Sequence, residues 1–236
     1  MREYTIGKRL VEGYLHQPYS WFLNRHSADL GKTILSEVVI VIGGCIFPLL
    51  DLISKSFVTI ALITLLILAD PKIALVVGFS LGSIYGCIFF FLRHFLKRIG
   101  KERLKNNQMR FTAVIEAFGA SKEIKVAGLE QSYIKRFSIA AQNFAKYQAL
   151  SQVISQLPRF FLEAIAFGGV MIIILYLMNQ TGGFIHSLPI ISLYIFAGYR
   201  LMPALQQIYS ASTQLAFIGP SVEKLYEDIK NLKSSK

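Results

Sequence analysis

The chain is built from apolar blocks much longer than a soluble bundle needs, separated by short stretches where aromatic, apolar and charged residues mix. From Met1 to about Leu35 the pattern is helical and amphipathic, with Leu10, Val11, Tyr14 and Leu15 on one face. It breaks at His16-Gln17-Pro18, because proline disfavours helical geometry in the residue before it. A short aromatic and polar piece, YSWFLNRHSADL, follows. Val38 to Ala69 is apolar apart from Pro48, Asp51 and Lys55, and exceeds the ~20 residues that cross a hydrocarbon core. Asp70-Pro71 reads as a turn, and Ile73 to Leu92 as a return span.

Beyond Arg93 the helical rhythm continues at Leu96, Ile99, Leu104, Phe111, Val114, Ile115 and Phe118, and no proline stands between Pro71 and Pro158. The second span should therefore run on for about 25 residues, roughly 35–40 Å at ~1.5 Å per residue. It ends in a polar segment, Glu116 to Phe137, where Ile124, Val126 and Ala127 lie between Gly119 and Gly128, and Tyr133, Ile134 and Phe137 follow at helical spacing. This pattern predicts a short exposed helical tip that needs a partner. Ser132 to Val153 leads back, a third span covers about Phe160 to Met178, and NQTGGFIHS forms a loop. A fourth span starts near Leu188 and passes Pro203, with a helical tail to Leu232. The expected fold is an all-α membrane protein of about four spans whose helices extend into the cytoplasm.

Composition supports a membrane protein. The chain has 236 residues, of which 53% are hydrophobic and 17% charged, and its mean hydropathy is +0.48. An ordinary soluble domain has about 45–50% apolar and about 25% charged residues. The net charge of +11 does not indicate nucleic acid, because the basic residues lack an interleaved aromatic platform and adjoin apolar spans. Arg93, Lys97, Arg98, Lys101, Arg103, Lys105 and Arg110 gather on one side with Arg2, Lys8, Arg9, Lys224 and Lys230, whereas the opposite loops carry only Lys72. The positive-inside rule then places both termini and the long hairpin in the cytoplasm. Cys45 and Cys87 lie in apolar runs and specify neither a disulfide framework nor a metal site. MREYTIGKRL has no apolar h-region behind it, so no signal peptide is expected. Asn179-Gln180-Thr181 reads as a chance triplet in a turn.

Few patterns suggest chemistry. Gly31-Lys32-Thr33 ends like a phosphate-binding loop, but His26 occupies the first glycine position and no strand precedes it. No GxxxxGK[ST], HExxH or Ser/Lys pair of plausible spacing occurs, so no catalytic site is expected in this chain. Asp51 and Lys55 share a helix face and read either as a polar point on a substrate path or as a neutralised pair. Arg159 has Glu163 one turn later, whereas Arg200 has no evident partner within the fourth span.

Four stretches together, YLHQPYSWFLNRHSADL, EAFGASKEIKVAGLEQSYIKRF, QLPRFFLEAIAFGG and YRLMPALQQIYSASTQL, resemble the transmembrane domain of a type I ABC exporter, in particular the lipid-linked oligosaccharide flippases. The resemblance covers nearly the whole chain. It implies a partial exporter domain over 1–236: a helix end and first coupling helix at 1–35, spans at 36–69 and 72–118, a second coupling region at 119–137, and spans at 138–178 and 188–232. It also implies that Pro18, Trp21, Phe22 and Arg25, and Gly128, Leu129, Glu130, Tyr133 and Phe137, dock on a nucleotide-binding domain. Arg159 and Arg200, with Asp51 and Lys55, would line the substrate path, the arginines facing the pyrophosphate of a lipid-linked sugar. Further implications are a second transmembrane domain forming a homodimer, ATP and Mg on the nucleotide-binding domain, and a bacterial inner-membrane location. The family has six spans and a nucleotide-binding domain. Here two spans and that domain are missing, so the chain is expected to be a piece of a longer or split transporter, or else a non-transporting scaffold or inactive fragment.

Overall fold

The computed structural model describes residues 2–23, 25–69, 71–179 and 184–233. The turn expected at Asp70, and Gln180 and Thr181 of the Asn179 triplet, lie outside them. All regular structure among the described residues is helical. The helices are α1 (Arg2–Leu15), α2 (Tyr19–Leu23), α3 (Ser27–Lys32), α4 (Val38–Val41), α5 (Phe47–Ala69), α6 (Pro71–Gly119), α7 (Ser121–Ala127), α8 (Glu130–Asn179) and α9 (Phe184–Lys233). Two π-helical stretches, Thr33–Glu37 and Ile42–Ile46, join α3 to α4 and α4 to α5. One continuous helical run among the described residues, Ser27–Leu68, is long and apolar enough to cross a membrane. The fold is all-α and membrane-associated.

The π winding has a sequence cause. Buried positions in this run include Ala28, Thr33, Val38 and Ile42, with Lys32 and Glu37 beside them, a spacing close to five. In an α-helix a step of five residues turns a side chain roughly 140° off its face, since ~3.6 residues make a turn. The i→i+5 winding keeps these positions aligned instead.

The chain divides into two compact units. The first holds Met1–Phe47, His94–Gln152 and Gln214–Lys236; the second holds Pro48–Arg93 and Val153–Thr213. In the first unit Leu10, Tyr14, Val38, Ile42 and Leu225 form the core, with Trp21, Leu30, Ile34 and Ile229 packed around it. The expected α1 face is thus half right: Leu10 and Tyr14 point inward, whereas Val11 and Leu15 are exposed. His16 Nδ1 approaches the Glu12 carbonyl oxygen at 2.7 Å, and Gln17 Nε2 donates to that of Gly13 at 3.2 Å, closing the helix just before Pro18. Two glycines admit close packing by α9. A Cβ on Gly100 would lie 2.1 Å from the Phe217 carbonyl oxygen, and one on Gly44 would lie 1.8 Å from Ile218 Cδ1.

In the second unit Ala197, Leu201, Ala204 and Ala211 of α9 are buried, a seam of small residues seven apart around one leucine. The Tyr85 and Tyr209 rings meet at a tilt of 48° with centroids 5.7 Å apart. Many large apolar side chains, including Phe57, Phe79, Phe90, Phe91, Phe160 and Tyr199, are exposed. Pro158 does not interrupt α8, which runs for 50 residues through it. The extension expected after Arg93 is equally unbroken: α6 has 49 residues, about 74 Å at ~1.5 Å per residue.

Gly100→Ala is expected to destabilise by at least about 1–3 kcal/mol, because its contact is rigid backbone. Gly31→Ala, with open space around it, should be neutral or gain about 0.5–1 kcal/mol. Thermal unfolding of the two variants in detergent micelles checks both.

Candidate coupling surface

Both predicted tips belong to the first unit. At the first tip, Trp21 N–H donates to the Pro18 carbonyl oxygen at 2.9 Å, starting the five-residue helix α2. Pro18 is exposed, while Trp21, Phe22 and Arg25 are half-buried. Trp21 packs on Tyr14 at 5.4 Å and meets Phe22 edge-on at 5.1 Å. Arg25 lies over the Trp21 ring at 4.5 Å and donates from Nη1 to Asp228 Oδ1 of α9 at 3.1 Å. Trp21 and Arg25 therefore anchor the tip to the unit beneath it. The outward apolar surface comes instead from Tyr19 and Leu23, 78% and 68% exposed. These two were absent from the sequence-predicted set, although their spacing of four places them on one helix face.

Below this tip is a shared-charge cluster. Lys32, with no exposed surface, forms an ion pair with Asp29 Oδ1 at 3.0 Å. Lys224 of α9 donates to the same oxygen at 3.0 Å. Burial, with Asp228 next in effect, pushes the Tyr14 phenol above its ordinary range, which keeps it neutral in the core.

The second tip is α7 and the start of α8. Gly128 takes a left-handed conformation, φ 66°, that glycine adopts without strain. This lets Leu129 N–H reach back to the Ile124 carbonyl oxygen at 3.1 Å, a Schellman closure. Ile124 is buried, while Val126 is 84% exposed and Leu129 also faces outward. Tyr133 is half-buried and Phe137 exposed. Lys125 Nζ donates to Glu130 at 3.0 Å, and Arg136 pairs with Glu116, tying α8 to α6. The backbone N–H at Glu130, and after it Lys125, hold the Glu130 carboxyl below the usual range. The ionic pin is thus complete above the ordinary carboxylate pKa and is lost only as pH falls through the lowered value. No hydrogen bond or ion pair among the described residues joins the two tips.

The sequence reading missed what lies behind them. Arg103, counted there among basic residues, is 1% exposed, and its Nη2 donates to Glu37 Oε2 at 3.0 Å and to Ser221 Oγ at 2.6 Å. Asn107 Nδ2 donates to Glu37 Oε1 at 2.7 Å and to Ser36 Oγ at 3.1 Å, and Arg110 donates to Asn107 Oδ1 at 2.7 Å. Arg103 Nε and Nη1 have no hydrogen-bond partner among the described residues. Its guanidinium instead lies near the Phe144 and Phe217 rings, 5.9 and 5.8 Å from their centroids. A signal was available: Arg103 follows Leu96 and Ile99 at i, i+3, i+7, off the face of Lys97 and Lys101.

The other predicted residues belong to the second unit. Arg159 Nε donates to Glu163 Oε1 at 2.8 Å, and both are exposed enough for solvent to screen the pair. Arg200 is exposed without an ion-pair partner among the described residues. Asp51 is exposed and Lys55 half-buried on one face of α5, and no ion pair joins them.

Glu37→Gln should cost about 3–5 kcal/mol, because it leaves the Arg103 charge buried and unpaired. Replacing both partners, as in Glu37→Leu with Arg103→Met, should recover most of that loss. Denaturant unfolding of the single and double variants tests the coupling.

The family described as ABC transporter transmembrane region matches residues 2–185. The chain is also similar to an ATP-dependent lipid A-core flippase of Cupriavidus metallidurans, at 26% identity over 183 residues that cover 75% of this chain and 31% of that protein. It thus spans about a third of the length of that relative.

Proposed function

The chain belongs to the ABC transporter transmembrane family, and from that membership we propose that it is the membrane part of an ATP-driven exporter or flippase for an amphipathic, anionic, lipid-linked substrate. In this reading it crosses the membrane about four times, with spans in 36–69, 72–118, 138–178 and 188–232. The segments 1–35 and 119–137 carry the coupling tips, and the nucleotide-binding domain, with its ATP and Mg, is a partner surface. A second transmembrane domain, a copy of this chain, completes the path.

The observation that carries the proposal is the construction of the first tip. Tyr19 and Leu23 present apolar surface outward, while Arg25 is bonded to Asp228, and Asp29 to Lys224, both on α9. A push on this tip has two short polar links through which to reach α9. The second tip has the same division of labour, with Val126 and Leu129 outward and Arg136 tied to Glu116 on α6. The similarity to a lipid A-core flippase supports a lipid-linked anion as substrate. Arg200, exposed and unpaired among the described residues, suits a phosphate or pyrophosphate, which guanidinium binds bidentately. Arg159 is assigned the same role with Glu163 as its resting partner, and Asp51 and Lys55 complete the polar lining.

With the nucleotide-binding partner present, Leu129→Ala or Tyr133→Ala should leave ATP hydrolysis running while transport falls; unchanged coupling removes the second tip from the mechanism. Arg200→Ala should lower transport of an anionic lipid-linked substrate by about 10- to 100-fold, the loss of one charge-assisted contact of ~1.5–3 kcal/mol. Transport unaffected by that change removes Arg200 from the substrate path, whereas absence of any transport by the unmutated assembly favours a scaffold over a transporter.

A further inference from the structure

The cytoplasmic half of α6 has two faces that separate by charge. At roughly 100° per residue, Leu96, Ile99, Gly100, Arg103, Asn106 and Asn107 occupy an arc of about 120°, and all six are buried. His94, Lys97, Arg98 and Lys101 fall in the opposite arc, about 100° wide, and all four are exposed. Lys97 is paired with Glu223 at 3.1 Å, whereas Arg98 and Lys101 have no acidic partner among the described residues. Arg93, also exposed, stands between this face and CIFFFL, the end of the apolar run that finishes at Leu92.

We infer that this exposed face of α6 is a contact site for anionic phospholipid headgroups, with Arg98 and Lys101 as its principal cations and His94 and Lys97 flanking them. The inference rests on the reading that the apolar half of α6 crosses the bilayer. The distances agree: at ~1.5 Å per residue Arg98 stands about 9 Å past Leu92 and Lys101 about 14 Å. A headgroup layer is roughly 5–8 Å deep on each side, and a lysine or arginine stem lets the charge reach back toward it. Lys105, about 20 Å beyond Leu92, is out of contact and more than a Debye length of ~8 Å past the layer. Charge complementarity selects the occupant: uncompensated cations beside an apolar edge attract the negative leaflet surface.

The full chain is reconstituted in phosphatidylcholine vesicles carrying trace spin-labelled phosphatidylglycerol or spin-labelled phosphatidylcholine, and the motionally restricted fraction of each probe is read by electron paramagnetic resonance. The expected result is a preference for phosphatidylglycerol of about fivefold, the equivalent of ~1 kcal/mol, falling toward unity in Arg98→Gln/Lys101→Gln and at high salt. Lys105→Gln/Lys122→Gln, a control of equal charge change farther along the chain, should keep the preference. Equal selectivity in the wild type and the Arg98/Lys101 variant, or equal loss in both variants, overturns the site while leaving the membrane span intact. Absence of a restricted component for either probe overturns the span, and the site with it.

Discussion

A guanidinium and a carboxylate removed together from water organise the first unit. Arg103 of α6 and Glu37 at the end of a π-helical stretch are almost wholly buried, 1% and 2% exposed, and neither can remain charged there alone without a cost of several kcal/mol. Their bond fixes α6 against the Thr33–Glu37 stretch, Ser221 brings in α9, and the Phe144 ring brings in α8. The position of each element follows from having to surround this charge. A well-packed apolar pair would hold the helices with less desolvation.

The same constraint explains the glycines and the winding. Gly100 lies one turn before Arg103, and without a side chain there the Phe217 carbonyl can approach α6 closely. Ser221, one turn beyond Phe217, is thereby within reach of Arg103. The π stretches turn Lys32 and Glu37 to the same buried side as Val38 and Ile42. The second polar layer, Asp29 with Lys32 and Lys224, repeats the arrangement nearer the first tip.

The second unit follows a different rule. Phe57, Phe79, Phe90 and Phe160 are exposed, and in the proposed membrane setting hydrocarbon would solvate them as well as a protein core does. Ala197, Ala204 and Ala211 form a seam of small residues on α9, the kind of surface that in the same setting lets helices approach closely where no hydrophobic drive brings them together.

Apolar block lengths, a proline-free stretch and glycines flanking a polar tip were enough to read from the sequence the long helices, the break at Pro18 and the Gly128 turn. Each of these depends on local backbone preferences or on the free energy of moving one segment out of water. Tertiary structure alone decided which polar residues went inside. Arg103 looks like its neighbours Lys101 and Lys105 until Glu37, sixty-six positions earlier, is brought beside it. Trp21 and Arg25 look like free tip residues until Tyr14 and Asp228 are brought against them, with Tyr19 and Leu23 left more exposed beside them. A buried charge is stable only with its partner in place, and no periodicity in the chain records a partner that arrives from a distant segment.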